Sequence, residues 1–402
     1  MTNQHILRRN GAKHCPARLF WQAGLLLLVA TGACGQPGPA AGSAPGGAAA
    51  RPFTVKEVAK LSTPWAMDFL PGSGNRLSRQ ALLTEKEGTL WLVDTATGTK
   101  RTVAGLPKIR VAGQGGLGDV VAHPGFAGNR RIYLSFVEAG PGGSGAALGY
   151  GTLEMGKGAP RLSGFKVIWR QSPKVDGNGH FAHRIAFARD GTLFVSSGER
   201  EKFDPAQDMT KNLGKVLHLT AEGTPARGNP WAAQAGLAAQ FWSIGHRNML
   251  GLAFAPDGRL WASEMGPKGG DELNLIVPGR NYGWPRASNG SHYDGRDIPD
   301  HRAGDRFEPP KAWWNPAISP GGLIIYSGAR FPQWRGDTLI PALSGKALIR
   351  VDIDGARATK AEQWAMGARI RAVDQGPDGS VFLIEGGKGG DGGRLLRLDP
   401  VK

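Results

Sequence analysis

Between Trp242 and Pro285 the chain gathers residue types that suit ligand chemistry: Gly245-His246-Arg247-Asn248, Glu264-Met265-Gly266-Pro267, Asp271-Glu272-Leu273-Asn274 and Asn281-Tyr282-Gly283-Trp284-Pro285. A guanidinium beside an amide offers directed donors to an anion. Acids and turn carbonyls offer hard oxygens to a cation. The combination points to a cofactor site in which an anionic ligand and a hard cation are held together.

A second candidate group lies upstream, in Gly177-Asn178-Gly179-His180-Phe181-Ala182-His183-Arg184. Imidazole is the side chain best suited to accept a proton near neutral pH. On extended backbone, residues three apart project to opposite faces. One of the two histidines is therefore expected to face the site, although a histidine at a strand start also serves as an ordinary hydrogen-bonded structural residue. A third group is Arg369 and Arg371: two apart on a strand, they share a face and can reach one anionic ligand, or equally stand as two surface arginines.

These groups need a scaffold, and the sequence describes one. The 402 residues include 62 Gly and 28 Pro, and short apolar segments alternate with tight-turn signals, as in an all-β protein. One pattern returns six times, a polar turn with Gly in or just before it followed by an apolar strand: Glu87 to Val93, Asn129 to Leu134 after Gly128, Asp190 to Val195, Asp257 to Trp261, Gly336 to Ile340 and Asp378 to Leu383. The spacing fits blades of roughly 40 to 50 residues with variable loops. Four-stranded antiparallel blades around an axis protect their edges and leave a channel mouth where insertions can build a site. The reading is an all-β, six-bladed β-propeller over residues 52–402.

Residues 1–33 carry Arg8, Arg9, Lys13 and Arg18 without an acid, then an apolar run from Leu19 to Ala30, then small residues. That order is expected of an export signal, and the apolar run is shorter than the roughly 20 residues a membrane span needs. Cys34 stands where lipoprotein signals place the acylated cysteine, although Thr31 occupies a position that is usually Leu. Residues 34–51 are Gly, Pro and Ala rich, as in a flexible tether. The expected location is the periplasm or cell envelope, and the expected state a monomer. Cys15 falls in the leader, so a mature chain would have one thiol and no internal disulfide. The formal charge is +16, with four of the cations in the leader. No basic run or nucleic-acid motif accompanies that charge, and the reading excludes a nucleic-acid partner.

Several segments together, Gly113-Gln114-Gly115-Gly116-Leu117 with His123-Pro124, His180 to Arg184, Gly245 to Asn248 with Gly251-Leu252-Ala253-Phe254, Glu264 to Pro267, and Asn281 to Pro285, resemble the soluble pyrroloquinoline quinone (PQQ)-dependent sugar dehydrogenases. The compact size is most similar to the aldose sugar dehydrogenase branch. The resemblance implies a six-bladed propeller that oxidises the anomeric carbon of aldose sugars to lactones and passes electrons to an external acceptor. It implies that His180 is the base while hydride passes to PQQ, and that Arg247 and Asn248 lie at the quinone oxygens. It further implies that Gln114, Trp314, Arg369 and Arg371 contact the cofactor, with Trp314 stacking on its plane. Ca2+ would be held by the carbonyls of Gly266 and Pro267, and a further calcium by Glu272 and the carbonyl of Tyr282.

Two departures stand out. Gly179 occupies the place where glucose-type members carry an Asp directly before the catalytic histidine, so the base must be oriented otherwise. Ser344 aligns with a family lysine, leaving Lys346 as its candidate replacement. Two rivals follow: a metal-dependent lactonase on the same architecture, and a non-catalytic cell-envelope binding propeller.

Overall fold

A computed structural model describes residues 50–72, 78–156, 158–387 and 392–401. The leader, Cys34 and all of the tether except Ala50 and Arg51 lie outside the described residues. The described chain is almost entirely β, with six four-stranded antiparallel sheets and a single α-helical turn, Phe126–Asn129.

Blade 1 comprises Pro64–Phe69, Gln80–Glu85, Thr89–Asp94 and Lys100–Thr102, and blade 2 comprises Leu117–Ala122, Arg131–Gly140, Gly143–Glu154 and Arg161–Arg170. Blade 3 comprises Ala182–Phe187, Leu193–Ser197, Lys215–Leu219 and Phe241–Ile244, and blade 4 comprises Met249–Phe254, Leu260–Glu264, Asp271–Ile276 and Ala312–Trp314. Blade 5 comprises Ile324–Ile325, Thr338–Ala342, Ala347–Asp354 and Arg357–Ala365. Blade 6 takes Ile370–Gln375, Val381–Glu385 and Gly393–Pro400 from the C-terminal end and its outermost strand, Phe53–Leu61, from the start of the domain. The first strands of successive blades touch in order, and that of blade 6 returns to that of blade 1. Pairing the two ends of the domain in one sheet closes the ring and leaves no unpaired terminal blade.

The core is distributed as one apolar cluster per blade junction. Leu82 and Leu92 meet Leu117 and Leu134 between blades 1 and 2, and Ala81 and Leu83 meet Phe382 and Ile384 across the closure. The heaviest junction joins blades 5 and 6, where Phe53, Trp334 and Trp364 pack edge to face and Phe331 stacks on Trp334 at 3.9 Å. Strands that alternate in-face and out-face side chains supply both sides of each junction.

The six sequence repeats map one to a blade, but not all to the same strand. Five mark the second strand, whereas Glu87 to Val93 forms the third strand of blade 1. The second strand there is Gln80–Glu85, preceded by a Gly-rich segment without the Asp-Gly signature.

Candidate active site

The end of blade 3 that carries His180 is built from two adjacent segments in left-handed backbone conformation. His180, Ala182 and His183 have φ of 47°, 56° and 61°, and Arg200, Glu201 and Phe203 have 66°, 59° and 64°. Each such non-glycine residue costs on the order of 1–3 kcal/mol, and the cost is tolerated only where the surroundings over-determine it. Arg200 supplies much of that constraint. Its buried guanidinium donates to the carbonyls of Gly179 (2.8 Å), Ser144 (2.6 Å) and Gly177 (2.7 Å) and lies 3.6 Å from the centre of the Phe181 ring. Gln114 adds a side-chain acceptor, Oε1, to the His180 N–H at 2.9 Å.

His180 is fixed through its ring as well. Its Nδ1 lies 2.5 Å from Oε1 of the fully buried Glu199, whose Oε2 accepts the N–H groups of Lys202 and Phe203 at 2.6 Å each. Burial pushes the Glu199 carboxyl up, but the hydrogen bond and charge of His180 and the Phe203 N–H outweigh it and hold the carboxyl below its usual range. An ionised Glu199 can only accept, so Nδ1 carries a proton, and in the neutral ring Nε2 is the nitrogen free to act as a base. The Glu199 N–H donates to the Arg247 carbonyl at 2.9 Å, tying this assembly to the loop entering blade 4.

The alternation argument for the two histidines fails because residues 180–183 are not extended. Three of the four are left-handed, and both rings come to the same end of the blade. His183 lines the cavity, stacked on Trp65 at 5.0 Å with 9° between planes, and its Nδ1 bonds Ser135 Oγ at 2.8 Å. Gly118 accommodates that ring, since a Cβ at 118 would overlap it. Burial, followed by the charge of Arg184, drives the His183 pKa down to about 3, so the imidazole is neutral. Arg184 itself lies 4.0 Å over the Trp65 ring and pairs with buried Asp119 at 3.0 Å.

The cavity above this floor has a volume of about 520 Å³, and Gln114, Asn248, Arg369 and Arg371 are among the residues lining it. Arg369 and Arg371 make no side-chain hydrogen bond or ion pair among the described residues. Burial, and then the charges of Arg369 and Arg184, push the Arg371 guanidinium down to about 10. A wall of mutually repelling cations without partners among the described residues is electrostatically poised for an anion.

Arg247 borders a small adjoining cleft and shares the Met265 boundary with the cavity. Its Nη1 donates to the Met265 carbonyl at 3.0 Å, its Nη2 to the Tyr293 hydroxyl at 3.4 Å, and its guanidinium lies 5.2 Å over Trp284. Glu264 shapes the turn by accepting the N–H groups of Arg247 and Asn248 while bonding His246 Nδ1 at 3.0 Å. Arg247 Nε, a donor, and Asn248 Oδ1, an acceptor, are buried without a hydrogen-bond partner among the described residues.

Gly266, Glu272 and Tyr282 border the same cleft as Arg247, and buried Pro267 follows Gly266. Burial, reinforced by the charge of Glu264, pushes the Glu272 carboxyl up to about 8, although Asn274 donates to it at 2.9 Å. His301 Nε2 lies 4.0 Å away, and both nitrogens of this buried ring lack partners. Among the described residues no group of three or more His, Cys, Asp or Glu stands in a metal-holding arrangement.

Four candidates line neither opening: His180, whose chain neighbour Phe181 and partner Gln114 line the cavity, Pro267, Trp314 and Lys346. Trp314 sits in the outermost strand of blade 4, buried in the junction with blade 5 against Trp261 and Ile340, with Lys360 Nζ 5.2 Å over its ring. It does not line the cavity. Lys346 lies exposed in a turn and also does not line it, whereas Ser344 Oγ bonds Ser319 of the cavity wall at 2.8 Å. The sequence reading passed over Glu199, Arg200, Trp65 and Tyr293. Only the Gly198-Glu199-Arg200-Glu201 run, closing a strand at the right end of blade 3, offered a signal.

The chain matches the Glucose / Sorbosone dehydrogenase family over residues 61–397. It belongs to that family. Among glucose/sorbosone dehydrogenase relatives, it is 37% identical over 349 residues to the aldose sugar dehydrogenase of Escherichia coli, covering 85% of this chain and 91% of the relative. The crystal structure of the soluble aldose sugar dehydrogenase from E. coli in its apo-form superposes with a TM-score of 0.81 at 35% identity, over 87% of this chain and 100% of that one. The PQQ-bound aldose sugar dehydrogenase from Streptomyces coelicolor superposes with a TM-score of 0.72 at 29% identity, over 86% of this chain and 98% of that one.

Proposed function

We propose that this chain, a quinoprotein sugar dehydrogenase, oxidises the anomeric carbon of aldoses to lactones, with PQQ as cofactor and calcium as its companion cation, and passes the electrons to an external acceptor. The observation that carries the reading is the wall of Arg369 and Arg371, without a partner among the described residues, lining one cavity with Gln114 and Asn248, with Arg247 on the adjoining cleft and the Glu199-locked His180 next in the chain to cavity-lining Phe181.

The residues fit a planar tricarboxylate. Arg369 and Arg371 would take carboxylates, Arg247 would donate toward the reacting oxygens through Nε and Asn248 through Nδ2, which here meets only Met265 Sδ at 4.0 Å, and Gln114 keeps its amide NH2 for the cofactor's edge after spending its carbonyl on His180. The carbonyls of Gly266 and Pro267 supply hard oxygens for calcium, and Glu272 with the Tyr282 carbonyl supplies a second candidate position. When bound, PQQ supplies an acceptor for the hydride of the anomeric carbon and calcium a Lewis acid that polarises it. His180 Nε2 removes the anomeric hydroxyl proton, and Glu199 stabilises the resulting imidazolium through Nδ1. Arg247 holds a fixed positive charge where negative charge develops. Trp314 and Lys346 take no part in this scheme.

The test is to titrate purified protein with PQQ and calcium and to follow dye reduction with a panel of aldoses. Sugar-dependent reduction requiring both additions is expected; lactone hydrolysis without quinone would overturn the reading. The order of basic, apolar and small residues in 1–33 supports export, with Cys34 as a candidate acylation point and the mature chain a monomer. The intact mass and sedimentation of protein isolated from the native envelope check these assignments.

A further inference from the structure

Gly179 leaves the histidine without the preceding acid of the glucose-type pattern, and the fold brings another acid to that space. Gly179 is buried against Glu201: a Cβ on residue 179 would overlap the Glu201 carboxylate. Oε1 of Glu201 lies 3.8 Å from His180 Nε2, the nitrogen that Glu199 leaves free. The Glu201 side chain is 51% exposed, has no hydrogen bond among the described residues, and is aimed by a left-handed backbone at φ 59°. An exposed acid aimed at a base by its backbone, with no hydrogen bond among the described residues and its acceptor lone pairs open to solvent, is suited to a ligand rather than to the fold.

We propose that Glu201 is a specificity-determining residue that contacts substrate, supplying from the neighbouring loop the carboxylate that position 179 lacks. It accepts a hydrogen bond from the sugar hydroxyl adjacent to the anomeric one and disfavours anionic sugars. The inference rests on the proposed function. With Nδ1 occupied, His180 must engage the anomeric hydroxyl through Nε2. At 3.8 Å Glu201 makes no hydrogen bond to that nitrogen, and two acceptors so spaced can each take one hydroxyl of a vicinal pair. A site built to accept a hydroxyl discriminates against the analogue that lacks it, and a carboxylate there repels a second negative charge.

Four variants of the full chain test this. In PQQ- and calcium-loaded enzyme, Glu201→Gln should lower kcat/KM for a neutral aldose about tenfold, mainly through KM. It should leave the 2-deoxy analogue unchanged and raise kcat/KM for the matching uronate several-fold. Equal losses on the aldose and its 2-deoxy analogue, or no gain on the uronate, would overturn the assignment. A wild type that oxidises no aldose at all sinks the parent reading and the substrate role with it. The exchange of positions is read separately in cofactor-free protein. Gly179→Asp should lower the melting temperature, and the same change in a Glu201→Gly background should not. Additive effects of the two substitutions would show that the side chains do not share the space.

Discussion

The blade 3 and blade 6 sides of the cavity are built on opposite plans. At blade 3 nearly every donor and acceptor is satisfied: Glu199 bonds His180 and two backbone N–H groups, Arg200 bonds three carbonyls, and Gln114 bonds the His180 backbone. At blade 6, Arg369 and Arg371 face the same cavity with no partner among the described residues. The difference separates two tasks. A group that moves a proton must be held in one orientation, which demands a complete hydrogen-bond network. A group that binds an anion must keep its donors open until the anion arrives.

That contrast yields predictions that differ in kind as well as size. On the satisfied side, His180→Ala should lower kcat by about 10²- to 10⁴-fold while leaving the PQQ dissociation constant within about twofold of wild type. Steady-state dye reduction and a separate binding titration check it; a matching loss of affinity would erase the distinction between the two walls. Glu199→Gln keeps the shape but not the charge. It should lower kcat by about tenfold or more and shift the pH profile, because the imidazolium loses its counter-charge. A pH–rate profile identical to wild type would reduce Glu199 to a packing residue.

Arg200→Lys should preserve a cation but not the three-way fork, since an ammonium cannot reproduce the planar donors. The expected result is a several-fold fall in kcat with little change in cofactor affinity, measured on the same two assays. A separate effect concerns pH and stability. His183 has its pKa depressed from the ordinary histidine value of about 6.5 to about 3, so between these values the unfolded chain binds a proton that the folded chain does not. Its contribution therefore makes stability fall as pH drops from about 6.5 toward 3, by up to about 1.4 kcal/mol per pH unit. His183→Gln should flatten that slope in denaturant melts, and an unchanged slope would contradict a neutral, buried ring.

Much of the architecture was legible because it depends on local chemistry. Tight Gly turns before apolar strands recur once per blade, and the ring follows from the count. Blade 1 shows the limit: its second strand, Gln80–Glu85, lacks the turn signature, so the repeat there marked the following strand instead. Within the site, the period of two places Arg369 and Arg371 on a common wall. The same rule misled for His180 and His183, because left-handed residues break the alternation that the rule assumes. Glu199 was hidden for another reason. It lies at the far end of the neighbouring strand, and only the pairing of Ala182 with Ser197 brings its segment to the histidine. Trp314 could not be told from core by type alone, since a strand-borne indole suits a blade junction as readily as a flat ligand.

The central claim is that guanidiniums from blade 6 and an imidazole from blade 3 serve one bound anion by different means. Its most direct test is an equilibrium titration of PQQ with calcium into wild type and into Arg369→Ala/Arg371→Ala, read by quenching of tryptophan fluorescence. Wild type should saturate at one cofactor per chain, and the double variant should bind at least about 100-fold more weakly, two charge-assisted contacts having been lost. Equal affinities in the two proteins would contradict the account.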